Sequence, residues 1–208
     1  PSRPADVAAV MDQIAKNFSW SGPIGIGLPG VVQNGIVFTA ANIHKKWVGT
    51  NSVELISQVT DCPCTVLNDA DAAGLAEMTF GIGRGRSGTV IIVTIGTGLG
   101  TALFTNGHLL PNAELGHLEM DGLDAEARAS DAARQAGKLS WAKWAGRFNN
   151  YLLYLEQLFW PDLFILGGGV SKQFNRFEPM LTVKAEVTPA QFLNEAGIVG
   201  AALATQGL

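Results

Sequence analysis

Four short stretches of the chain bring together residue types that could do chemistry. Asn68-Asp69 stands where an apolar run, Cys64 to Leu67, gives way to a small-residue segment. A carboxylate there can accept a proton from a substrate hydroxyl, and an adjacent amide can orient that hydroxyl. The same aspartate could instead cap the helix that follows. Thr94 to Gly100 (T-I-G-T-G-L-G) reads as a glycine-rich hairpin tip. Its bare backbone lets N–H groups approach phosphate oxygens, and Thr97 adds a hydroxyl donor, although an ordinary tight turn has the same look. No G-K-[ST] follows, so it is not a Walker loop. Leu163 to Lys172 (L-F-I-L-G-G-G-V-S-K) is a strand, a triple glycine and a helix start. Helix N-termini attract anions through free N–H groups and the dipole, yet a plain strand–turn–helix corner fits as well. Finally, Glu114-Leu115-Gly116-His117 places a carboxylate and an imidazole three apart. Such a pair can hold vicinal hydroxyls, the carboxylate accepting and the imidazole donating, or it can be a surface pair and nothing more.

The elements that must position these groups follow from periodicity and turn residues. Val7, Val10, Met11, Ile14 and Phe18 repeat at helical spacing, which predicts a helix over Asp6 to Phe18. Ile24 to Leu28 reads as a short buried strand. Asn34-Gly35 between Val31-Val32 and Ile36 to Phe38 favours a type I′ hairpin. Asn51 and Glu54 have capping-box spacing at the start of a helix from Ser52 to Val59. A strand, Cys64 to Leu67, then runs into a helix over Ala70 to Phe80. Gly81 to Gly88 holds four glycines in eight residues and reads as a linker. A strong hairpin follows, Thr89 to Ile95 and Leu99 to Phe104. Helix is then predicted over Ala125 to Gln135 and, most strongly, over Trp141 to Phe159, with Ser140 as N-cap and Pro161 as stop. A buried strand, Leu163 to Leu166, and a last helix from Asn194 to Ala204 complete a mixed α/β pattern.

Composition bounds what such a chain can be. With 208 residues, 47% of them hydrophobic and 15% charged, it can bury one substantial core or two smaller ones. A net charge of -4 argues against nucleic-acid binding through a broad basic face, while leaving room for a local basic groove. No apolar run approaches the roughly 20 residues that cross a bilayer, so no membrane partner is expected. Cys62 and Cys64 flank a proline and are poorly placed to bridge, which points to reduced thiols and the cytoplasm.

Taken in order, the motifs resemble those of the ROK family of sugar kinases and repressors, within the actin-like ATPase (ribonuclease H-like) fold. The matching pieces are Leu28-Pro29-Gly30, Thr39 to Ile43 with Trp47, Leu67 to Asp71, Gly96 to Gly100, Glu114 to His117 and Gly167 to Val170. Trp160 to Phe164, Gly168 to Lys172 and Asn194 to Ala202 look like the polyphosphate-using glucokinase branch. The resemblance implies a glucokinase that takes a phosphoryl group from inorganic polyphosphate, and from ATP, to the 6-hydroxyl of glucose. Alternatives are an ATP-dependent fructo- or mannokinase, a non-catalytic sugar-binding fragment, and a repressor, which would need a helix-turn-helix segment. It implies Asp69 as general base and Asn42, Asn68, Glu114, His117 and Glu126 as sugar ligands. Gly96, Thr97, Gly98, Gly167, Gly168, Gly169 and Lys172 would face the donor.

The same resemblance implies Mg2+ accompanying the donor and a homodimer, with mannose as a second sugar. It also implies a small sugar-side lobe over 1–86, joined by the C-terminal helix at about 190–208, and a large lobe over 87–189. Two departures stand out. Many members carry a zinc-binding cysteine cluster after the E-x-G-H motif, but Leu118 to Ser130 holds no cysteine, so no zinc or other protein-bound metal is expected. A D-x-G-G-[ST] strand turn, the family's first phosphate loop, should precede residue 1 and is missing from these residues. A chain made only of them is expected to bind sugar but transfer phosphate poorly or not at all. A polyanionic donor wants a cationic track, for which Lys45, Lys46, Arg84, Arg86, Lys143, Arg147, Lys172 and Arg176 are candidates.

Overall fold

The computed structural model describes residues 2–192 and 195–207. The chain divides into two units, Pro1–Ala76 with Ala196–Leu208, and Glu77–Glu195. The first is built on two parallel strands, β1 (Ile24–Leu28) and β4 (Cys64–Asn68), with Ile24 opposite Cys64 and Leu28 opposite Asn68. Between them come β2 (Val32–Gln33) and β3 (Ile36–Val37), joined by Asn34 and Gly35 at φ +50° and +79°. Positive φ at both turn residues is the signature of the type I′ hairpin expected there. Helix α1 (Pro4–Asn17) opens with proline in its first turn, and α2 (Ser52–Thr60) opens on Asn51, whose Oδ1 accepts from Glu54 N at 3.1 Å. Helix α3 (Asp69–Thr79) follows β4 without a loop. Helix α7 (Ala196–Ala204) packs so closely on it that a Cβ at Gly200 would collide with the carbonyl of Ala72. The expected start of that helix, Asn194, lies outside the described residues.

The second unit is a five-stranded mixed sheet in the order β11-β10-β5-β6-β7. Its strands are β5 (Thr89–Ile95), β6 (Leu99–Thr105), β7 (His108–Leu110), β10 (Leu163–Gly167) and β11 (Glu186–Pro189). Strands β5 and β10 run parallel, so the hairpin tip after Ile95 and the glycine corner after Leu166 emerge at the same end. Helix α6 (Trp141–Phe159) covers one face: Trp144, Phe148, Tyr151, Leu152 and Leu155 are buried against Ile91, Val93, Phe164, Leu166 and Phe177. Each such side chain stabilises the fold by about 1.5–3 kcal/mol. Val90, Ile92, Phe104 and Ile165 are buried as well, so both faces are covered. That explains why β5 and β10 read as unbroken apolar runs and not as alternating ones.

Three features depart from the expectations. The single helix foreseen over 125–135 is two, α4 (Ala125–Ala129) and α5 (Asp131–Ala136). Ser130 breaks them with ψ 164° and caps α5, its Oγ accepting from Ala133 N at 3.1 Å. After the glycine corner the chain forms a 3₁₀ run, Gly169–Arg176, irregular at Gln173, in place of the foreseen helix start. No sustained α-helical dipole therefore points at that corner. A short hairpin, β8 (Glu119–Met120) and β9 (Leu123–Asp124), and strand β11 were not among the expected elements.

The change of unit falls at Glu77 and not at residue 86. Glu77 is 1% exposed, and its carboxylate accepts from Ile82 N at 3.3 Å and Phe192 N at 2.7 Å. Those bonds draw the glycine-rich stretch and residue 192 into the second unit. Among the described residues, no helix is long and apolar enough to cross a membrane.

Candidate active site

In the first unit the chemistry gathers at the carboxyl ends of the two parallel strands, where open α/β sheets present their ligand-binding loops. Asn68, the last residue of β4, is 5% exposed and directs its Oδ1 to Ala70 N at 2.8 Å and Asp71 N at 3.1 Å. Its Nδ2 donates to Gly30 O at 3.2 Å, tying β4 to the loop after β1. Asn68 is thus the N-cap of α3, and the two readings of Asp69 separate: the aspartate is the first helical residue, not the cap. Asp69 is exposed on the surface, yet the protein around its carboxyl desolvates it and pushes its pKa above the ordinary 3.8. Backbone hydrogen bonds from Ala70 and Asp69 itself oppose that shift without cancelling it. Asn42 sits in an exposed bend just before a 3₁₀ turn, Lys45–Trp47, whose tryptophan is buried.

In the second unit the hairpin tip and the glycine corner lie side by side. Gly168 adopts φ +77° and approaches Ile95 so closely that any Cβ would strike the Ile95 backbone. Only glycine meets both demands. Thr97 is exposed at the tip, between the half-buried Gly96 and Gly98. Two backbone N–H groups, from Asp131 at 3.1 Å and Ala132 at 3.3 Å, donate to Gly96 O and fasten the tip to the start of α5. Lys172 is exposed on the 3₁₀ run that leaves the corner.

Glu126 joins the tip to the E-x-G-H motif. Its Oε2 accepts from Leu99 N at 3.3 Å and fills the space where a Cβ on Gly98 would go. Gly116 likewise has no room for a side chain, because the carbonyl of Leu99 lies against it. Glu114 and His117 are therefore held against the base of β6, with His117 Nε2 3.7 Å from Glu114 Oε2. The other ring nitrogen meets a residue the sequence reading missed: Asp124 Oδ2 lies 3.0 Å from His117 Nδ1. Asp124 ends the β8–β9 hairpin, and Asp121-Gly122, at φ +53° and +78°, was the turn signal that could have announced it.

The hydrogen bond that Asp124 accepts raises the His117 pKa above 6.5; burial, the next largest influence, opposes it, and the charges of Glu126, Glu114 and Asp124 add to the rise. One ligand atom each from His117, Asp124 and Glu126 lies within 4.8 Å of the others, a spacing at which three donors can share a hydroxyl-rich ligand or an ion. Of the foreseen cations, Arg86 is engaged, its guanidinium bonded to both oxygens of Glu186 at 2.9 and 2.8 Å. Lys45 and Lys46 belong to the first unit and Arg84, Lys143, Arg147, Lys172 and Arg176 to the second, all exposed.

Known proteins are similar to this chain in sequence and in fold. The chain is 44% identical over 206 residues to the polyphosphate glucokinase of Mycobacterium tuberculosis (strain CDC 1551 / Oshkosh), covering 99% of this chain and 78% of that protein. The crystal structure of inorganic polyphosphate/ATP-glucomannokinase from Arthrobacter sp. strain KM superposes with a TM-score of 0.93 at 44% identity, over 99% of this chain and 85% of that one. A ROK family glucokinase from Streptomyces griseus, solved in complex with glucose and AMPPNP, gives 0.81 at 26% identity, over 100% and 90%. The fold is accordingly the actin-like ATPase fold of the ROK sugar kinases. With the ROK family sequence model matching residues 5–135 and likeness extending over nearly all the rest, this chain belongs to the ROK family.

Proposed function

We propose that the protein is a glucokinase that moves a phosphoryl group from inorganic polyphosphate, and from ATP, to the 6-hydroxyl of glucose, with mannose as a second acceptor. One observation carries the reading: 44% identity over 99% of the chain to a polyphosphate glucokinase. In this reading Asp69 takes the proton of the 6-hydroxyl while its oxygen attacks the terminal phosphorus. The bridging P–O bond breaks, and the shortened donor leaves with the electron pair. Desolvation that makes Asp69 a better base suits this step.

Asn42, Asn68, Glu114, His117 and Glu126 grip the remaining hydroxyls, and Asn68, as the cap of α3, also holds Asp69 in place. Gly96, Thr97, Gly98, the corner Gly167 to Gly169, and Lys172 face the donor phosphates. Phosphoryl transfer asks mainly for positioning and charge stabilisation, which such a set supplies. Mg2+ is proposed to come with the donor, held by phosphate oxygens and water. The His117–Asp124–Glu126 trio contains an imidazole and is a poor match to that ion's all-oxygen preference. We place the enzyme in the cytoplasm, at the entry of glucose into glycolysis, as a homodimer.

Phosphorylation assays on the whole enzyme with each donor test the reading. Glucose 6-phosphate should form with polyphosphate and with ATP. Raising ionic strength should raise the KM for polyphosphate more steeply than that for ATP, which touches fewer cations. Activity with ATP and none with polyphosphate would make it an ATP-dependent kinase instead.

A further inference from the structure

Two elements of the second unit, one starting at the hairpin tip and one at the glycine corner beside it, meet at one aromatic ring. Helix α5 starts fastened to the tip, through Asp131 N and Ala132 N on Gly96 O, and one turn later carries Arg134. The 3₁₀ run starts at Gly169, beside the Gly168 that rests on Ile95, and ends with Arg176. The Arg134 guanidinium carbon lies 4.4 Å from the centroid of the Trp141 ring, and that of Arg176 lies 5.1 Å from the same centroid. Trp141 is itself held, stacked on the buried Phe177 at 6.2 Å and edge-on to Trp144 at 5.6 Å. Arg134 has one carboxylate partner, Asp131 at 2.8 Å, whereas Arg176 is exposed and makes no ion pair among the described residues.

Two guanidiniums converge on one indole, Arg134 paired with Asp131 and Arg176 in no ion pair among the described residues, which concentrates positive charge in a chain whose net charge is -4. Such a patch is a local attractor for anions. The rigid ring pre-pays part of the entropy of ordering the arginines, and guanidinium forks match phosphate oxygens. The patch lies on the two elements that lead away from the tip and the corner, so a polyphosphate held at the donor phosphates and running along either element would meet it.

We propose that Arg134, Trp141 and Arg176 form a second anion subsite that takes the distal phosphates of long-chain inorganic polyphosphate. This rests on the donor reading above. Steady-state kinetics on the whole enzyme with long-chain polyphosphate, tripolyphosphate and ATP test it, using Arg176→Gln, Arg134→Gln and the double variant. Each single change should raise the KM for the long chain relative to tripolyphosphate by about threefold to fivefold, the scale of one exposed charge contact, and the pair by about tenfold or more. The dependence of that KM on salt should become shallower, because fewer counterions are released. Arg176→Lys should recover part of the loss. A KM for the long chain unchanged in the double variant, or raised equally for tripolyphosphate or ATP, overturns the subsite while leaving the donor reading standing. A wild-type enzyme that neither binds nor uses polyphosphate brings down both.

Discussion

Asp69, at the carboxyl end of β4, and His117, in the turn after Glu114, are both pushed toward their protonated forms, by different physics. Asp69 is raised because the protein around it desolvates its charge. His117 is raised because a hydrogen-bonded carboxylate, Asp124, and the charges of Glu126 and Glu114 favour its cation. Burial acts in opposite senses on the two, since it penalises whichever form is charged. The raised pKa makes the Asp69 carboxylate a poorly solvated and stronger base than an ordinary aspartate. His117 keeps its Nδ1 hydrogen on Asp124 and presents Nε2 as a fixed group for a ligand. The first unit thus holds a carboxylate made more basic by burial, and the second an imidazole made more basic by its acidic neighbours.

The largest test of this contrast removes proton acceptance at Asp69 and keeps its shape. Asp69→Asn is expected to lower kcat by about 10²–10⁴-fold, the usual worth of a general base. Because the deleted charge is the one that burial penalises, the variant should unfold at no lower a temperature than the wild type at neutral pH. A kcat within about threefold of wild type overturns the assignment. On the other side of the comparison, Glu114→Ala should weaken glucose binding by about 1–3 kcal/mol, measured by titration calorimetry, because hydroxyls left unpaired in the site lose their acceptor. Unchanged glucose affinity would remove Glu114 from the sugar. Elemental analysis belongs to the same test: stoichiometric zinc that disappears in His117→Ala would turn the His117–Asp124–Glu126 trio from a hydroxyl clamp into a metal site.

The contrast also separates what could be read in advance from what could not. The strands and their ends were legible because they rest on local patterns: an apolar run ending in Asn-Asp, a Gly-Thr-Gly tip, a nineteen-residue stripe closed by Trp160 in a left-handed turn. The motif residues Asp69, Glu114 and His117 stand in such local patterns, while the roles proposed for them come from the family resemblance. Asp124 was not, since its meaning lies in a contact with a residue seven positions away, made through a two-residue turn inside a polar loop. Ser130 and Glu77 were missed for a related reason. A buried serine inside a helical pattern reads as a weak helix former until its hydroxyl is seen capping a new helix. A buried glutamate reads as surface until two backbone N–H groups are found on it. Arg134 and Arg176 are 42 positions apart in sequence, and nothing local says that they share a ring.

The smallest effect sharpens the comparison most, because it touches one partner and should leave the other alone. Asp124→Ala removes the first cause of the His117 shift, so the pKa of His117, followed by NMR of its ring protons, should fall toward 6.5 while that of Asp69 stays raised. The sign of the stability change follows from linkage. A histidine whose folded pKa lies above its unfolded value contributes stability that is complete below about pH 6.5 and fades as pH rises through the folded value. Wild type should therefore exceed Asp124→Ala in melting temperature most at mildly acidic pH, and the gap should close in alkaline buffer. It should be small, since the side chains of His117 and Asp124 are 45% and 53% exposed and pairs of that kind are worth about 0.2–1 kcal/mol. A gap that instead widens with rising pH would mean that Asp124 supports the β8–β9 hairpin and not the imidazole. A His117 pKa unmoved by the substitution would assign its shift to Glu126 and Glu114.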